Sequence, residues 1–205
     1  MKLYVLFVAM AAVTVLSPGP GVVMTLSNAL RYGMRSTLGG ILGIATGALV
    51  VAAFSATSAG ALLAASSLAF TVLKLAGAAY LIYLGIKLWR SPPFVFSASS
   101  APAAGFGRRF AEGLSLQFTN PKAIFFFLSV FPQFIDPAQD YASQFTALVL
   151  TYSALVVLIH SGYAFFAQSA QRWLRSERGG RQVNRVAGTT FVLFGLALAT
   201  AKRAP

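Results

Sequence analysis

Long apolar runs alternate with short polar or basic gaps along the chain. Six of these runs extend over about 20 residues, the length that an α-helix needs to cross the hydrocarbon core of a bilayer. Their apolar residues are continuous and do not alternate with polar ones, so the pattern predicts helices rather than strands. We therefore expect an all-α integral membrane protein with six transmembrane helices. The predicted spans are residues 3–25, 38–60, 67–89, 113–134, 146–169 and 183–201.

The composition indicates that lipid, rather than water, covers most of the surface. Charged residues make up 10% of the 205 residues, against about 25% in a typical soluble domain. The net charge of +12 raises the question of a nucleic-acid partner. The basic residues, however, lie in the gaps between apolar runs, where membrane topology places them. We expect membrane lipid as a partner and no nucleic acid.

The residue types that most enzymes and metal sites need are scarce. The chain has no cysteine, one histidine and four acidic residues. Disulfides and thiol chemistry are therefore excluded. We expect no metal site, no cofactor and no enzymatic activity.

The basic residues predict the orientation of the six helices. Lys and Arg concentrate in cytoplasmic loops. The gaps after the first, third and fifth spans, counted together with Lys87 and Arg185 at the adjoining span ends, hold 11 of the 16 basic residues. The gap after the second span has no charge, and that after the fourth carries only Asp136 and Asp140. This alternation predicts that both termini lie outside. We interpret the N-terminal run as an uncleaved helix, because Pro18 and Pro20 stand where a signal-peptide cleavage site would lie.

Two polar segments divide the chain further. Residues 90–112 are rich in proline and serine and predict a cytoplasmic loop between two halves, residues 1–90 and 110–205, of one transmembrane domain spanning 1–205. Three helices is an odd number, so two repeated halves would be inverted in the membrane, as in many secondary transporters. Residues 170–182 are rich in arginine, and Gly179-Gly180 predicts a helix stop followed by a turn.

Helix-breaking residues interrupt the first helix of each half. The first break is Ser17-Pro18-Gly19-Pro20-Gly21, and the second is Thr119-Asn120-Pro121-Lys122. Proline frees backbone carbonyls from the helical ladder, and in lipid such groups must face protein or a wet cavity. One such helix is more simply a proline kink, whereas matching broken helices in two halves point to a transporter's binding site. The predicted substrate-binding residues are Ser17, Pro18, Gly19, Pro20, Asn120, Pro121 and Lys122.

Lys74, Lys122 and His160 lie in the interior of the predicted spans, away from their ends. A charge in hydrocarbon is costly unless it reaches the interface, pairs or faces water. Lys74 either extends to the outer interface or lines the pathway, and Lys122 is better placed to meet an anionic group because it follows the second break. His160 is either a packing residue or a proton carrier. A stripe of small residues, Gly39, Gly43 and Gly47, predicts close packing of the second helix against a neighbour.

In their order and spacing, these motifs resemble the LysE/RhtB family of amino-acid exporters. The matching residues are Ser17-Pro18-Gly19-Pro20, Gly33, Gly39 to Gly47, Lys74-Leu75-Ala76-Gly77-Ala78-Ala79-Tyr80-Leu81, Gly85, Thr119-Asn120-Pro121-Lys122-Ala123, Phe131-Pro132-Gln133-Phe134 and Gly162-Tyr163-Ala164. The resemblance implies a multi-pass protein of the bacterial inner membrane, with periplasmic termini. It implies export of threonine, homoserine, homoserine lactone or similar compounds, coupled to protons. Many members have Asn where this chain has Gly21, which puts the substrate in doubt.

Other functions fit the sequence less well. A membrane channel or structural subunit is the main alternative to a secondary transporter, and saturable, gradient-dependent flux separates the two. An intramembrane enzyme needs clustered acids and histidines, whereas His160 has no acid beside it in sequence. A homo-oligomer is compatible with every one of these functions.

Overall fold

A computed structural model describes residues 2–65, 67–92, 105–136, 138–167, 169–170, 173 and 176–200. Every regular element in these residues is helical. Between the fifth and sixth α-helices the chain forms a π-helix, Phe126–Val130, and a 3₁₀ helix, Phe131–Phe134. The α-helices are α1 (Lys2–Leu16), α2 (Pro20–Ala65), α3 (Ser67–Arg90), α4 (Phe106–Phe118), α5 (Pro121–Phe125), α6 (Tyr141–Phe166) and α7 (Glu177–Thr200).

Helix α2 reverses direction at Gly33. This residue has φ of 78° and ψ of 175°, a conformation that glycine adopts at little cost. A Cβ built on Gly21 would lie 3.4 Å from Cδ1 of Ile44, although residues 21 and 44 would be ~34 Å apart in a straight helix. The two arms of α2, residues 20–32 and 34–65, therefore run antiparallel. The predicted gap between the first two spans is a one-residue turn and not a loop.

The structure breaks the chain at both predicted interruptions. Helix α1 ends at Leu16 and α2 begins at Pro20, while Thr119 and Asn120 separate α4 from α5. The second break is more extensive than the sequence suggested, because the π-helix and the 3₁₀ helix replace regular α-helix as far as Phe134. The window 113–134 is thus four short elements rather than one helix with a single interruption.

Two predicted boundaries are wrong. Helix α4 begins at Phe106, inside the predicted loop 90–112, because its first turn packs on α2, where a Cβ on Gly39 would lie 2.6 Å from the carbonyl oxygen of Phe106. An exposed ion pair between Arg108 and Glu112, at 3.2 Å, adds a small contribution. Helix α7 begins at Glu177, inside the predicted turn 170–182. There the hydroxyl of Ser176 accepts from the backbone N–H of Gly179 at 3.0 Å, which caps the helix. The Gly179-Gly180 pair therefore lies in the first turn of α7 and stops no helix. Of the predicted loop, residues 93–104 lie outside the described part.

Glycines bring the helices of two pairs into backbone contact. In the first pair, the second arm of α2 packs on α4, and a Cβ at Gly43 would overlap the carbonyl oxygen of Phe110. A Cβ at Gly47 would lie 2.6 Å from Cβ of Gln117. In the second pair, α3 packs on α7, and a Cβ at Gly85 would lie 2.6 Å from the carbonyl oxygen of Gly188. The predicted glycine stripe therefore serves helix packing.

Two described helical stretches are long and apolar enough to cross a bilayer, judged by length and composition alone. They are Pro20–Ser55, with 36 residues, and Tyr141–Phe166, with 26 residues, and Leu3–Leu16 is a shorter apolar helix. Because the chain turns back at Gly33, the part of the first stretch that can cross as one helix is residues 34–55. That part is about 33 Å long, which matches the hydrocarbon core.

Replacing Gly43 by alanine tests the contact between α2 and α4. The added methyl group meets backbone that cannot rotate away, so we expect a loss of stability of about 1–3 kcal/mol. Gly162→Ala is the matched control, because a Cβ there meets no atom within 4 Å. It should leave stability unchanged or raise it by about 1 kcal/mol. The measurement is the melting temperature of the detergent-solubilised protein, and equal values for the two variants would refute the close packing.

Candidate functional site

The first proline of the break leaves a backbone carbonyl without its helical donor, and a lysine donates a hydrogen bond to it instead. In a regular helix the N–H of residue 18 would donate to the carbonyl of Thr14, and Pro18 has no N–H. Instead Nζ of Lys122 donates to the carbonyl of Thr14 at 2.8 Å and to that of Ser17 at 2.9 Å. Its distance from Oγ of Ser17 is 3.4 Å. The ammonium of α5 therefore caps the end of α1.

The second proline acts in the same way on α6. The N–H of residue 20 would donate to the carbonyl of Leu16, and Pro20 has none. The hydroxyl of Tyr163 donates to that carbonyl at 2.5 Å. Pro20 is also the first residue of α2, a position where a missing N–H costs nothing. The two prolines thus end one helix, start the next and supply acceptors to two other helices.

Asn120 shapes the second break. Its Oδ1 accepts from the backbone N–H of Lys122 at 3.2 Å and its Nδ2 donates to Oε1 of Gln117 at 3.2 Å. Pro121 occupies the first turn of α5, where its ring is tolerated. This capping starts α5 at the place from which the side chain of Lys122 reaches α1. Gln117, which the sequence analysis did not single out, is buried between Asn120 and the glycine stripe.

His160 lies against the same break. Its Nδ1 shares a hydrogen bond of 2.7 Å with Oγ1 of Thr25, and a Cβ built on Gly21 would be 3.3 Å from its Cε1. A Cβ on Gly19 would be 3.1 Å from Nζ of Lys122. The two glycines therefore let two basic side chains approach the backbone of the break. Both side chains are buried, with His160 3% and Lys122 9% exposed.

The site is electropositive and has no carboxylate beside it. All four acidic residues lie in the described part of the chain, away from Lys122: one on α4, two before α6 and one at the start of α7. The ion pairs among described residues are Arg108–Glu112 and Arg181–Glu177. Among the described residues, the buried ammonium of Lys122 has only neutral partners: the carbonyls of Thr14 and Ser17, the hydroxyl of Ser17 and the ring of Phe191, whose centre lies 5.9 Å away. An anionic group would therefore bind there favourably. The described residues hold no cluster of three metal-binding side chains.

The structure brings most of the predicted site residues together. Ser17, Gly19 and Lys122 are in contact, Pro18 and Pro20 free the carbonyls, and Asn120 and Pro121 begin α5. His160 joins them, which the sequence left open. Lys74 lies on α3 with its side chain outside the described part, so its place on a pathway stays a prediction.

Three residues of the site escaped the sequence analysis as functional candidates: Gln117, Thr25 and Tyr163. Thr25 lies four residues after Gly21, on the same face of α2, and this spacing is the local signal that could have placed it beside His160. Tyr163 appeared only as part of a motif. Its contact with Leu16 joins residues 147 positions apart, which no local pattern reveals.

Known proteins resemble this chain over nearly its whole length. An uncharacterized membrane protein of Vibrio cholerae is 37% identical over 192 residues, 94% of each chain. A homoserine/homoserine lactone efflux protein of Salmonella typhimurium is 35% identical over 189 residues, 92% of each chain. No solved structure matches. Residues 12–202 match the family described as LysE type translocator, which confirms the resemblance, and the chain belongs to this family of membrane translocators.

Proposed function

We propose that the chain is a secondary transporter that exports small amino acids or their derivatives, such as threonine, homoserine or homoserine lactone, across the bacterial inner membrane. The observation that carries this proposal is the buried ammonium of Lys122, held by freed carbonyls of α1. The Salmonella relative, named for homoserine and homoserine lactone efflux, supports the same class of substrate.

A zwitterionic amino acid can replace each partner of this contact. Its carboxylate is a stronger acceptor for the ammonium of Lys122 than an amide carbonyl, because it adds the attraction of opposite charges to a hydrogen bond whose donor is already charged. The carbonyls of Thr14 and Ser17, once released, accept from the substrate's own ammonium group. The substrate thus inserts between α1 and α5 and leaves no buried polar group unpaired.

The same insertion breaks one of the contacts between the two halves of the protein. Helix α1 belongs to the first half and Lys122 to the second, so the contact between them ties the halves together. The main contacts between helices are symmetric when each helix is exchanged with its counterpart in the other half, that is, α1 with α4–α5, α2 with α6, and α3 with α7. The contact of α2 with α4 then becomes that of α6 with α1. The contacts of α2 with α6 and of α3 with α7 stay the same. This pattern supports two inverted three-helix halves with six crossings, the architecture of alternating access. The basic residues in alternate gaps of the sequence support periplasmic termini.

His160 is our candidate for proton coupling. It is the chain's only histidine, it contacts the break at Gly21, and its bond to Thr25 fixes which ring nitrogen faces α2. Of the acidic residues, Glu112 pairs with Arg108 on the exposed side of α4, Asp136 and Asp140 precede α6, and Glu177 starts α7. None of them is placed for a carboxylate relay through the centre. Proton antiport through His160 would link its charge to the occupancy of Lys122 nearby. Lys74 is retained as a candidate pathway residue.

Lys122→Met tests the substrate contact. The variant keeps the apolar stem and deletes the charge, so the apparent KM for homoserine should rise at least tenfold, given about 1.5–3 kcal/mol for a hydrogen bond to a charged group. Homoserine lactone has no carboxylate and should be affected much less, and Lys122→Arg should retain part of the activity. The measurement is uptake of labelled substrate into proteoliposomes.

Lys87→Met is the matched control, since Lys87 is exposed at the end of α3. It should transport both compounds normally. If Lys122→Met weakens amino acid and lactone equally, Lys122 acts on helix structure alone. If it weakens neither, the proposed site is in the wrong place.

The prolines can be tested one at a time. Pro18→Ala restores an N–H that competes with Lys122 for the carbonyl of Thr14, and Pro20→Ala restores one that competes with Tyr163 for that of Leu16. We expect the first variant to raise KM for amino acids as Lys122→Met does. The second should lower the maximal rate without changing the preference between amino acid and lactone. Normal transport by a correctly inserted double variant would remove the break from the mechanism.

Single cysteines test the orientation, because the native chain has none. Ala138→Cys lies before α6 and Arg178→Cys at the start of α7, and both positions are exposed. An impermeant thiol reagent applied to intact cells should label position 138 only, and position 178 should react after the inner membrane is permeabilised. The reverse labelling pattern would show that the termini are cytoplasmic.

A further inference from the structure

A cavity lies beside the break, between the first arm of α2, the end of α6 and the start of α7. Its volume is about 840 Å³, and apolar side chains such as Val22, Ile159 and Val183 form most of its wall. Neither Lys122 nor His160 is among its described lining residues. The cavity is therefore a site separate from the electropositive one, with the end of α1 as part of the partition.

This cavity opens sideways through apolar side chains. Leu16, Phe166 and Val186 line it and are 46%, 62% and 68% exposed. In a membrane protein such a surface faces acyl chains rather than water. A ligand that enters the cavity through this opening must therefore be apolar in the part that passes between these side chains.

Polar groups lie at one end of the cavity. Arg185, Gln182 and Trp173 are among the lining residues, and Nε1 of Trp173 donates to Oε1 of Gln182 at 3.3 Å. Nε1 of Trp89 donates to the carbonyl oxygen of Arg185 at 3.1 Å, which places a second tryptophan at the same level. Tryptophan and arginine mark the interface between hydrocarbon and water. Among the described residues, the guanidinium of Arg185 forms no ion pair.

We propose that the cavity binds an anionic phospholipid of the cytoplasmic leaflet, with an acyl chain inside and the phosphate on Arg185. The amphipathic site matches an amphipathic ligand, and its positive rim complements the charge of the headgroup. A methylene group has about the volume of a water molecule, ~30 Å³, so the cavity accommodates a whole acyl chain. The bound chain rests on Leu16 and Pro18 and so supports the broken end of α1 from the lipid side.

Quenching of tryptophan fluorescence tests the proposal, because Trp173 lines the cavity. The full chain is reconstituted in phosphatidylcholine vesicles that contain increasing fractions of phosphatidylglycerol with brominated acyl chains. We expect saturable quenching at a low mole fraction, with at least a threefold preference over brominated phosphatidylcholine. Arg185→Gln should abolish that preference, whereas Gly162→Phe should fill the cavity and remove the saturable component for both lipids.

Arg35→Gln is the matched charge control, since Arg35 is exposed beside the turn at Gly33 and does not line the cavity. It should bind lipid as the native chain does. An equal effect of Arg35→Gln and Arg185→Gln would show a diffuse surface attraction and overturn the proposal. Quenching in proportion to the bulk fraction of brominated lipid, without headgroup preference, would also overturn the proposal. So would a dimer in which a second copy of the chain shields Trp173 from the brominated lipid. Size-exclusion chromatography checks that Arg185→Gln and Gly162→Phe are folded. If Gly162→Phe misfolds, Arg185→Gln still decides the test.

Discussion

Two hydrogen bonds that proline cannot make determine how this molecule is joined together. Pro18 and Pro20 leave the carbonyls of Thr14 and Leu16 without helical donors, and Lys122 and Tyr163 supply the replacements. A buried carbonyl without a partner costs about 1–3 kcal/mol, and a buried ammonium without one costs several. Each group therefore needs the other, and α1 is tied to both α5 and α6. Side chains, and not the backbone, donate these two hydrogen bonds, so a ligand can replace them. The end of α1 is therefore suited to binding a ligand.

The glycine-mediated helix pairs provide the frame around that weak point. The second arm of α2 touches α4 through backbone atoms, and α3 touches α7 likewise, so neither pair can slide without a clash. Helix α1 has no such contact among the described residues. It is held by the buried ring of Phe7 packed on Phe126, Phe131 and Phe134 and by the polar contacts at its end. The protein thus combines two rigid pairs with one helix whose position is set by exchangeable bonds.

Local sequence patterns were sufficient for the all-helical class, the two breaks and the position of Lys122 at the second break. Proline and glycine act on their own backbone, and a charge in an apolar run needs a special place, so these features are visible in the sequence. The starts of α4 and α7 were missed because their first turns are polar and resemble loops. The contacts of His160 with Thr25 and of Tyr163 with Leu16 join distant positions. Nothing in a single sequence specifies such pairs, and therefore the position of His160 beside Gly21 is visible only in the fold. Its role as a packing residue or a proton carrier stays a prediction.

The turn at Gly33 has a mechanical consequence. A hinge of one residue leaves no slack between the two arms of α2, and Met24 of the first arm sits directly on Gly40 of the second. The two arms therefore form a rigid helical hairpin. Its short arm starts at the break, and its long arm packs on α4. Because no loop lies between the two arms, a displacement of the break at Pro20 would move the second arm and, through its backbone contacts, α4 of the opposite half.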